Sequence, residues 1–223
     1  MLADLHAHAL PASRDARDPL QALAAAVEPL GIGALALTDH DPGADYGAAR
    51  EILGSHGVVL VPGREVDTPL GHVVVLSTDT EWLGSLPSRT TLPLPGRSRA
   101  QAALIWAHPA GWRVAGAVIT PDPSKGAEHV HAVEVLNGER LWQPGGVATA
   151  AELAQGLALG ACGGSDAHDA GSAGRCMTAI DAAEDASSIV EAVRAGACRP
   201  VLGRAWAERE GIRYERQDLT RYA

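Results

Sequence analysis

The chain of 223 residues has no phenylalanine, one lysine (Lys125) and three cysteines. Without Phe, the core must be built from Ala, Leu, Val, Ile and Trp. The cysteines (Cys162, Cys176 and Cys198) are odd in number, far apart and free of any Cys-x-x-Cys pair. That pattern fits neither a disulfide framework nor a zinc ribbon, and it suits thiols in a reducing compartment. Positive charge is scarce too: Lys and Arg total 18 against 27 Asp and Glu, a formal charge of −9. Phosphate-backbone contacts need cations, so the chain is expected to be a poor non-specific binder of nucleic acid. Residues 1–30 lack the basic start and apolar run of a signal peptide. No stretch has the length of a membrane span, so the expected location is the cytoplasm. The first strand is not followed by the glycine fingerprint of a dinucleotide fold. No Gly-x-Ser-x-Gly elbow or Cys/His nucleophile pair is present.

What is present suits one globular domain, with 46% hydrophobic and 20% charged residues. Short apolar runs alternate with helical patterns. Strands are expected at Met1–His6, Ala34–Thr38, Val58–Val61, Val73–Leu76, Leu104–Ala107, Ala132–Leu136, Ala161–Gly164 and, as a short one, Met177–Ile180. Helices are expected from the Asp18-Pro19 cap to Gly31, over Asp45–His56, Val147–Leu159 and Ser187–Ala195. The segments Thr80–Arg97 and Gly111–Glu128 lack periodicity and read as long binding loops or lids. The alternation predicts a mainly parallel α/β sheet, and periodicity does not separate a closed barrel from an open sheet. Residues 1–203 form the expected domain, and residues 204–223 a charged C-terminal tail.

The chemistry gathers at strand ends. His6 and His8 are two apart, and strand side chains alternate, so both face one way. Two imidazoles on one face make a divalent-metal clamp. Asp166 and His168 repeat the spacing. Asp39 and His40 close the second strand, Glu65 closes the third, His72 opens the fourth and His108 closes the fifth. In parallel α/β folds, strand C-termini are where sites are built. A lone His at a strand end is usually a surface residue, and His56, His129 and His131 are read that way.

The segments Asp-Leu-His-Ala-His, Thr-Asp-His, Pro-Gly-Arg-Glu-Val, Ala-His-Pro, Val-Glu-Val-Leu-Asn and Gly-Ser-Asp-Ala-His occur in this order. Together they resemble the polymerase and histidinol phosphatase (PHP) superfamily, from residue 2 to about residue 203. The resemblance implies a distorted (β/α)7 barrel, TIM-like, with two to three divalent ions (Zn, Mn or Fe) at the C-terminal ends of its strands. It implies one ion held by His6, His8, Glu65 and Asp166. Glu65 would bridge to a second ion shared with His72 and His108. A third would take His40, His168 and a residue after the first strand. Asp15 is the candidate there, Ser13 matches the spacing of other members, and Asp18 is the fallback.

Asp39 is the candidate catalytic residue, able to orient or deprotonate the attacking water; the alternative is a carboxylate that caps backbone. Asp67, two residues from Glu65, is a candidate partner for a ligand. Glu134 and Asn137 lie three apart and should face opposite sides of an extended strand, so only one is expected in the mouth. Arg175 and Arg14, with Arg113 behind them, are candidate substrate-binding residues because a planar guanidinium grips phosphate oxygens in pairs. The implied activity is metal-dependent phosphoesterase hydrolysis of a mono- or small diester by activated water, on a small phosphorylated substrate. The alternatives are an amidohydrolase-type C–N or lactone hydrolase, or a non-catalytic metal-stabilised module. Oligomeric state is not readable.

Overall fold

The computed structural model describes residues 1–96, 98–110, 113–114, 117–118, 120–141, 143 and 145–209. Its strands are β1 (Leu2–Ala7), β2 (Ala34–Leu37), β3 (Val59–Thr68), β4 (Gly71–Leu76), β5 (Ala103–Trp106), β6 (Arg113–Val114), β7 (Ala117–Val118), β8 (Ala132–Asn137), β9 (Gly160–Gly164), β10 (Cys176–Ile180) and β11 (Cys198–Leu202). The helices are α1 (Leu20–Val27), α2 (Tyr46–Ser55), α3 (Thr80–Ser85), α4 (Gly146–Gly156), α5 (Ala186–Arg194) and α6 (Arg204–Arg209).

Nine strands form one sheet in the order β11-β10-β1-β2-β3-β4-β5-β8-β9, with β6 and β7 as a separate hairpin. The sheet curls until β9 lies against β11, giving a nearly closed barrel. The expectation of a mainly parallel sheet is corrected. The β3–β4, β4–β5, β1–β10 and β10–β11 pairs are antiparallel, and only β1–β2, β2–β3, β5–β8 and β8–β9 are parallel. The physical reason at β3–β4 is a tight turn. Thr68 pairs with Gly71, the Thr68 hydroxyl donates to the Gly71 carbonyl at 2.7 Å, and Gly71 takes a positive φ of 115°. This reversal also carries β3 through Pro62-Gly63 to Thr68. It brings the start of β4, rather than its end, to the edge where β1, β2 and β3 finish.

The alternating faces of the strands feed two apolar layers. One holds Leu35, Leu60, Val73 and Val133 against Leu23 and Val27 of α1, Leu53 of α2 and Val147 of α4. The other holds Leu5, Ala36, Val61, Val74 and Ile105, packed against Ile189, Val190 and Val193 of α5. Thr80–Ser85, expected as loop, is helical because the Asp79 carboxylate caps it, accepting the Trp82 N–H at 2.9 Å. Asp18 does not cap α1. Pro19 occupies that position, and the Asp18 carboxylate instead accepts the Ala170 N–H at 2.9 Å. The first part of the expected tail belongs to the fold: Trp206 and Ala207 are buried, and the Trp206 indole N–H donates to the Gly171 carbonyl at 2.8 Å. Residues 210–223 and the Arg113 side chain lie outside the described residues. Among the described residues, no helix is long and apolar enough to cross a membrane.

Candidate metal centre

β1 delivers His6 and His8 through an irregularity. Its register with β2 shifts between Asp4 and Ala7, so Leu5 still joins the inner apolar layer while His6 and His8 turn into the mouth. Glu65 stands at its centre, 2% exposed. Its Oε2 lies 3.2 Å from His6 Nε2, 3.4 Å from His8 Nε2 and 3.5 Å from His40 Nε2. Its Oε1 lies 2.7 Å from His72 Nδ1 and 3.0 Å from His108 Nε2. One carboxylate thus faces two separate sets of imidazoles with its two oxygens. Asp166 Oδ1 completes the first set, 3.2 Å from His8 Nε2 and 3.5 Å from His6 Nε2. Asp15 Oδ2 lies 3.2 Å from His168 Nε2 and 3.5 Å from His40 Nε2.

Among the described residues, four groups of donor atoms converge: His6, His8, Glu65 and Asp166; Glu65, His72 and His108; His8, His40 and His168; and His6, His108 and Glu134. Two observations fit them to divalent ions. His6 and His8 are buried, yet their Nε2 atoms have no hydrogen-bond partner although carboxylate oxygens stand within 3.5 Å. Lone pairs and carboxylates aimed at a common point rather than at one another are what a cation requires. The donor set of imidazole and carboxylate also suits zinc, manganese or iron.

The backbone at the centre is held out of its ordinary range. Asp166 has φ 53° and His108 φ 29°. Such conformations cost about 1–3 kcal/mol each and persist only where neighbours impose them. Here the Asp166 N–H donates to the His6 carbonyl at 2.8 Å, and the His108 N–H to Glu134 Oε2 at 2.9 Å. Electrostatics follow from the packing. Burial works against charge on Glu65, but the His6 charge, with hydrogen bonds from His108 and His72, holds its pKa well below the carboxylate range. Burial likewise disfavours a charged His8, yet Asp166 and Glu65 raise its pKa to about 9. Asp166 is lowered by His6, His8 and His108 against its own desolvation. Asp4, wholly buried beneath the centre, is raised to about 6 by desolvation, against hydrogen bonds from Ser165, Gly174 and His6.

The other candidates fall in different places. Asp39 accepts the Ala9 N–H at 2.8 Å and bonds Ser13, so it ties the loop after β1 to β2 and lies outside the converging groups. Ser13, weighed as a ligand, stands 3.2 Å from His8 Nδ1 and accepts the His40 N–H at 3.2 Å. Asp67 sits 3.1 Å from His72 Nε2. Arg14 is exposed, 3.4 Å from Asp41. Arg175 donates to Glu139 at 3.0 Å and lies over the Trp206 ring. The expectation that only one of Glu134 and Asn137 faces the mouth is corrected. A bulge between Glu134 and Leu136 in β8 adds a residue to the strand. Both side chains therefore turn inward, Asn137 Nδ2 donating to Glu134 Oε2 at 2.9 Å and to Asp166 Oδ2 at 3.2 Å. Arg64, given no role from sequence, is 1% exposed; its guanidinium holds the carbonyls of His40 and Leu86 and so fixes the loop carrying His40. Its signal was the strand period, which puts it on the face opposite Glu65.

Residues 148–198 match a family model described as PHP-associated. Among solved structures, a two-domain protein from Bacteroides vulgatus ATCC 8482, containing a predicted PHP-like metal-dependent phosphoesterase, aligns at TM-score 0.65 and 19% identity, over 91% of this chain and 64% of that one. The chain shares the fold of that predicted PHP-like protein. It spans just under two thirds of that two-domain relative. PsfC from Pseudomonas syringae PB-5123 aligns along nearly its whole length, at TM-score 0.64 and 22% identity, over 94% of this chain and 96% of that one. The lesion-specific endonuclease EndoQ from Pyrococcus furiosus aligns at TM-score 0.52 and 12% identity, over 90% of this chain and 57% of that one. No curated protein matches the chain significantly.

Proposed function

We propose that this chain is a metal-dependent phosphoesterase that hydrolyses a small phosphate ester. The observation that carries the reading is Glu65, with each oxygen turned to its own imidazole set and buried, unpartnered His6 and His8 nitrogens beside it. His6, His8, Glu65 and Asp166 would hold one ion, Glu65, His72 and His108 a second, and His40, His168 and Asp15 a third. The strands β1, β2, β3, β4, β5 and β9, which carry or precede these residues, together with β8 between β5 and β9, are read as the distorted (β/α)7 barrel, with β10 and β11 completing its wall. When bound, the ions would lower the pKa of water and stabilise charge on phosphoryl oxygens. The chain's own contribution is to place the donors, His6, His8, Glu65 and Asp166 buried and His40, His72, His168 and Asp15 towards the open side. Asp39 does this indirectly, by anchoring the loop that carries His8 and Ser13.

The surroundings support a small substrate. Two cavities adjoin His72: one of about 270 Å³, walled by Leu70, Trp106, Pro109 and Pro121 with Lys125 at its rim, and one of about 610 Å³, lined by Asp67, Pro69, Arg89 and Thr91. Both are of the size of small-molecule sites. Lys125, Arg14 and Arg175 are the candidate partners for anionic groups. Each faces an acid already (Asp122 at 3.9 Å for Lys125), which a substrate anion would displace. The deciding experiment pairs metal analysis of the purified protein with a phosphate-release screen over mono- and diesters. His8→Ala and Asp166→Ala should lose both metal and activity. Cleavage of amides or lactones with no release from any ester would overturn the phosphoesterase reading.

A further inference from the structure

The imidazole nitrogens that face away from the centre are as constrained as those that face it. His6 Nδ1 lies 3.0 Å from Glu134 Oε1. Glu134 Oε2 accepts the His108 N–H and an Asn137 amide N–H, both at 2.9 Å. The carboxylate is 3% exposed and meets donors on both oxygens. It can only accept, so His6 must present Nδ1–H to it. In the neutral ring the lone pair then falls on Nε2, the atom that has no partner. Asn137 continues the chain, since the same Nδ2 reaches Asp166 Oδ2 at 3.2 Å. His6, His108 and Glu134 also converge closely enough to suggest a separate ion site. Both Glu134 oxygens are already engaged by donors, which argues against Glu134 as a ligand.

We propose that Glu134 is a positioning residue: it locks His6 in the Nδ1–H tautomer and, through Asn137, sets the orientation of Asp166. One buried acid on a bulged strand would then aim two ligands of the Glu65-centred site. Gly164 gives it room, because a Cβ there would stand 2.6 Å from Glu134 Oε1 and 2.5 Å from His6 Cβ. The inference rests on the metal-centre reading above.

The test uses the full chain loaded with zinc, a diamagnetic probe, and needs no substrate. In wild type, long-range ¹H–¹⁵N spectra should show His6 protonated at Nδ1 and coordinated through Nε2. In Glu134→Gln, a single amide oxygen is left to accept from three donors, and the NH₂ must face at least one of them. Zinc affinity by chelator competition should fall about 10- to 100-fold, as for other residues that orient metal-bound histidines. Circular dichroism of the metal-free variant should stay native. Asn137→Ala, which spares the His6 bond, should lower affinity less and leave the His6 tautomer unchanged. Wild type that binds zinc through His6 Nδ1, or Glu134→Gln that binds zinc within about twofold of wild type while folded, would overturn the proposal and leave the metal centre standing. Wild type that takes up no zinc, manganese or iron would overturn both.

Discussion

Gly164→Ala is the sharpest test of the packing around the centre. The added methyl would sit 2.5 Å from His6 Cβ and 3.0 Å from the His6 backbone nitrogen, as well as 2.6 Å from Glu134 Oε1. His6 belongs to β1 in the middle of the sheet, so relief by moving its backbone would break the hydrogen bond from the Asp166 N–H to the His6 carbonyl. Overpacking of this kind costs about 1–3 kcal/mol. For a domain of this size each kcal/mol moves Tm by about 2–4 °C, so the metal-free variant should melt roughly 2–12 °C lower. Either His6 or Glu134 must also leave its place, and zinc affinity should fall with the melting temperature. Gly84→Ala is the control. Gly84 lies in α3 with nothing near its would-be Cβ, and an alanine there should stabilise by about 0.5–1 kcal/mol. Differential scanning calorimetry and a zinc titration of both variants decide the matter. A Gly164→Ala protein with unchanged Tm and unchanged zinc affinity would show that β9 does not approach β1 as described.

Other outcomes follow from the same geometry. In the metal-free protein Asp166 and Glu65 raise the His8 pKa to about 9, against its burial. A ring that must lose its proton to bind metal makes affinity rise with pH, by about tenfold per unit below 9 from this group alone. Calorimetry in buffers of different ionisation enthalpy should detect the released proton. The stability of the metal-free protein should move oppositely: the raised folded pKa favours the native state fully below the ordinary His pKa, and that contribution is lost as pH rises towards 9. Urea titrations across pH 6–9 would measure it. Lys125→Ala should raise KM several-fold for esters with an anionic leaving group and leave both neutral esters and metal content alone; equal effects on all esters would remove Lys125 from the substrate site. Arg64→Met should weaken zinc binding at the His40 end, because its guanidinium holds the His40 carbonyl; an unchanged zinc stoichiometry would show that the loop needs no such tie.

Much of the candidate centre was legible in the chain because strand ends announce themselves. An apolar run that stops at His or Asp marks both a position in the sheet and a side chain at its rim. Six short segments carry the PHP resemblance that implies His6, His8, Glu65, Asp166 and their neighbours, and the resemblance also implies Asp15 as the candidate after the first strand. A strict period of two puts Glu134 and Asn137 on opposite faces, and a single bulged residue changes which face every later side chain takes. Asp18 looked like a helix cap because local pattern cannot show that the Ala170 N–H arrives from a residue 152 positions away.

The sequence by itself determined the chemistry available: imidazoles and carboxylates at strand ends, few cations, and small apolar residues that let strands close together. Only the tertiary structure decided how those groups are used. Strand direction, the two register shifts and the curl of the sheet are set by long-range pairing, whose energy no local window contains. They turn Glu65 into a group that faces both imidazole sets, give His6 a buried acid behind it, and set Asp39 against the Ala9 N–H, outside the converging donor groups.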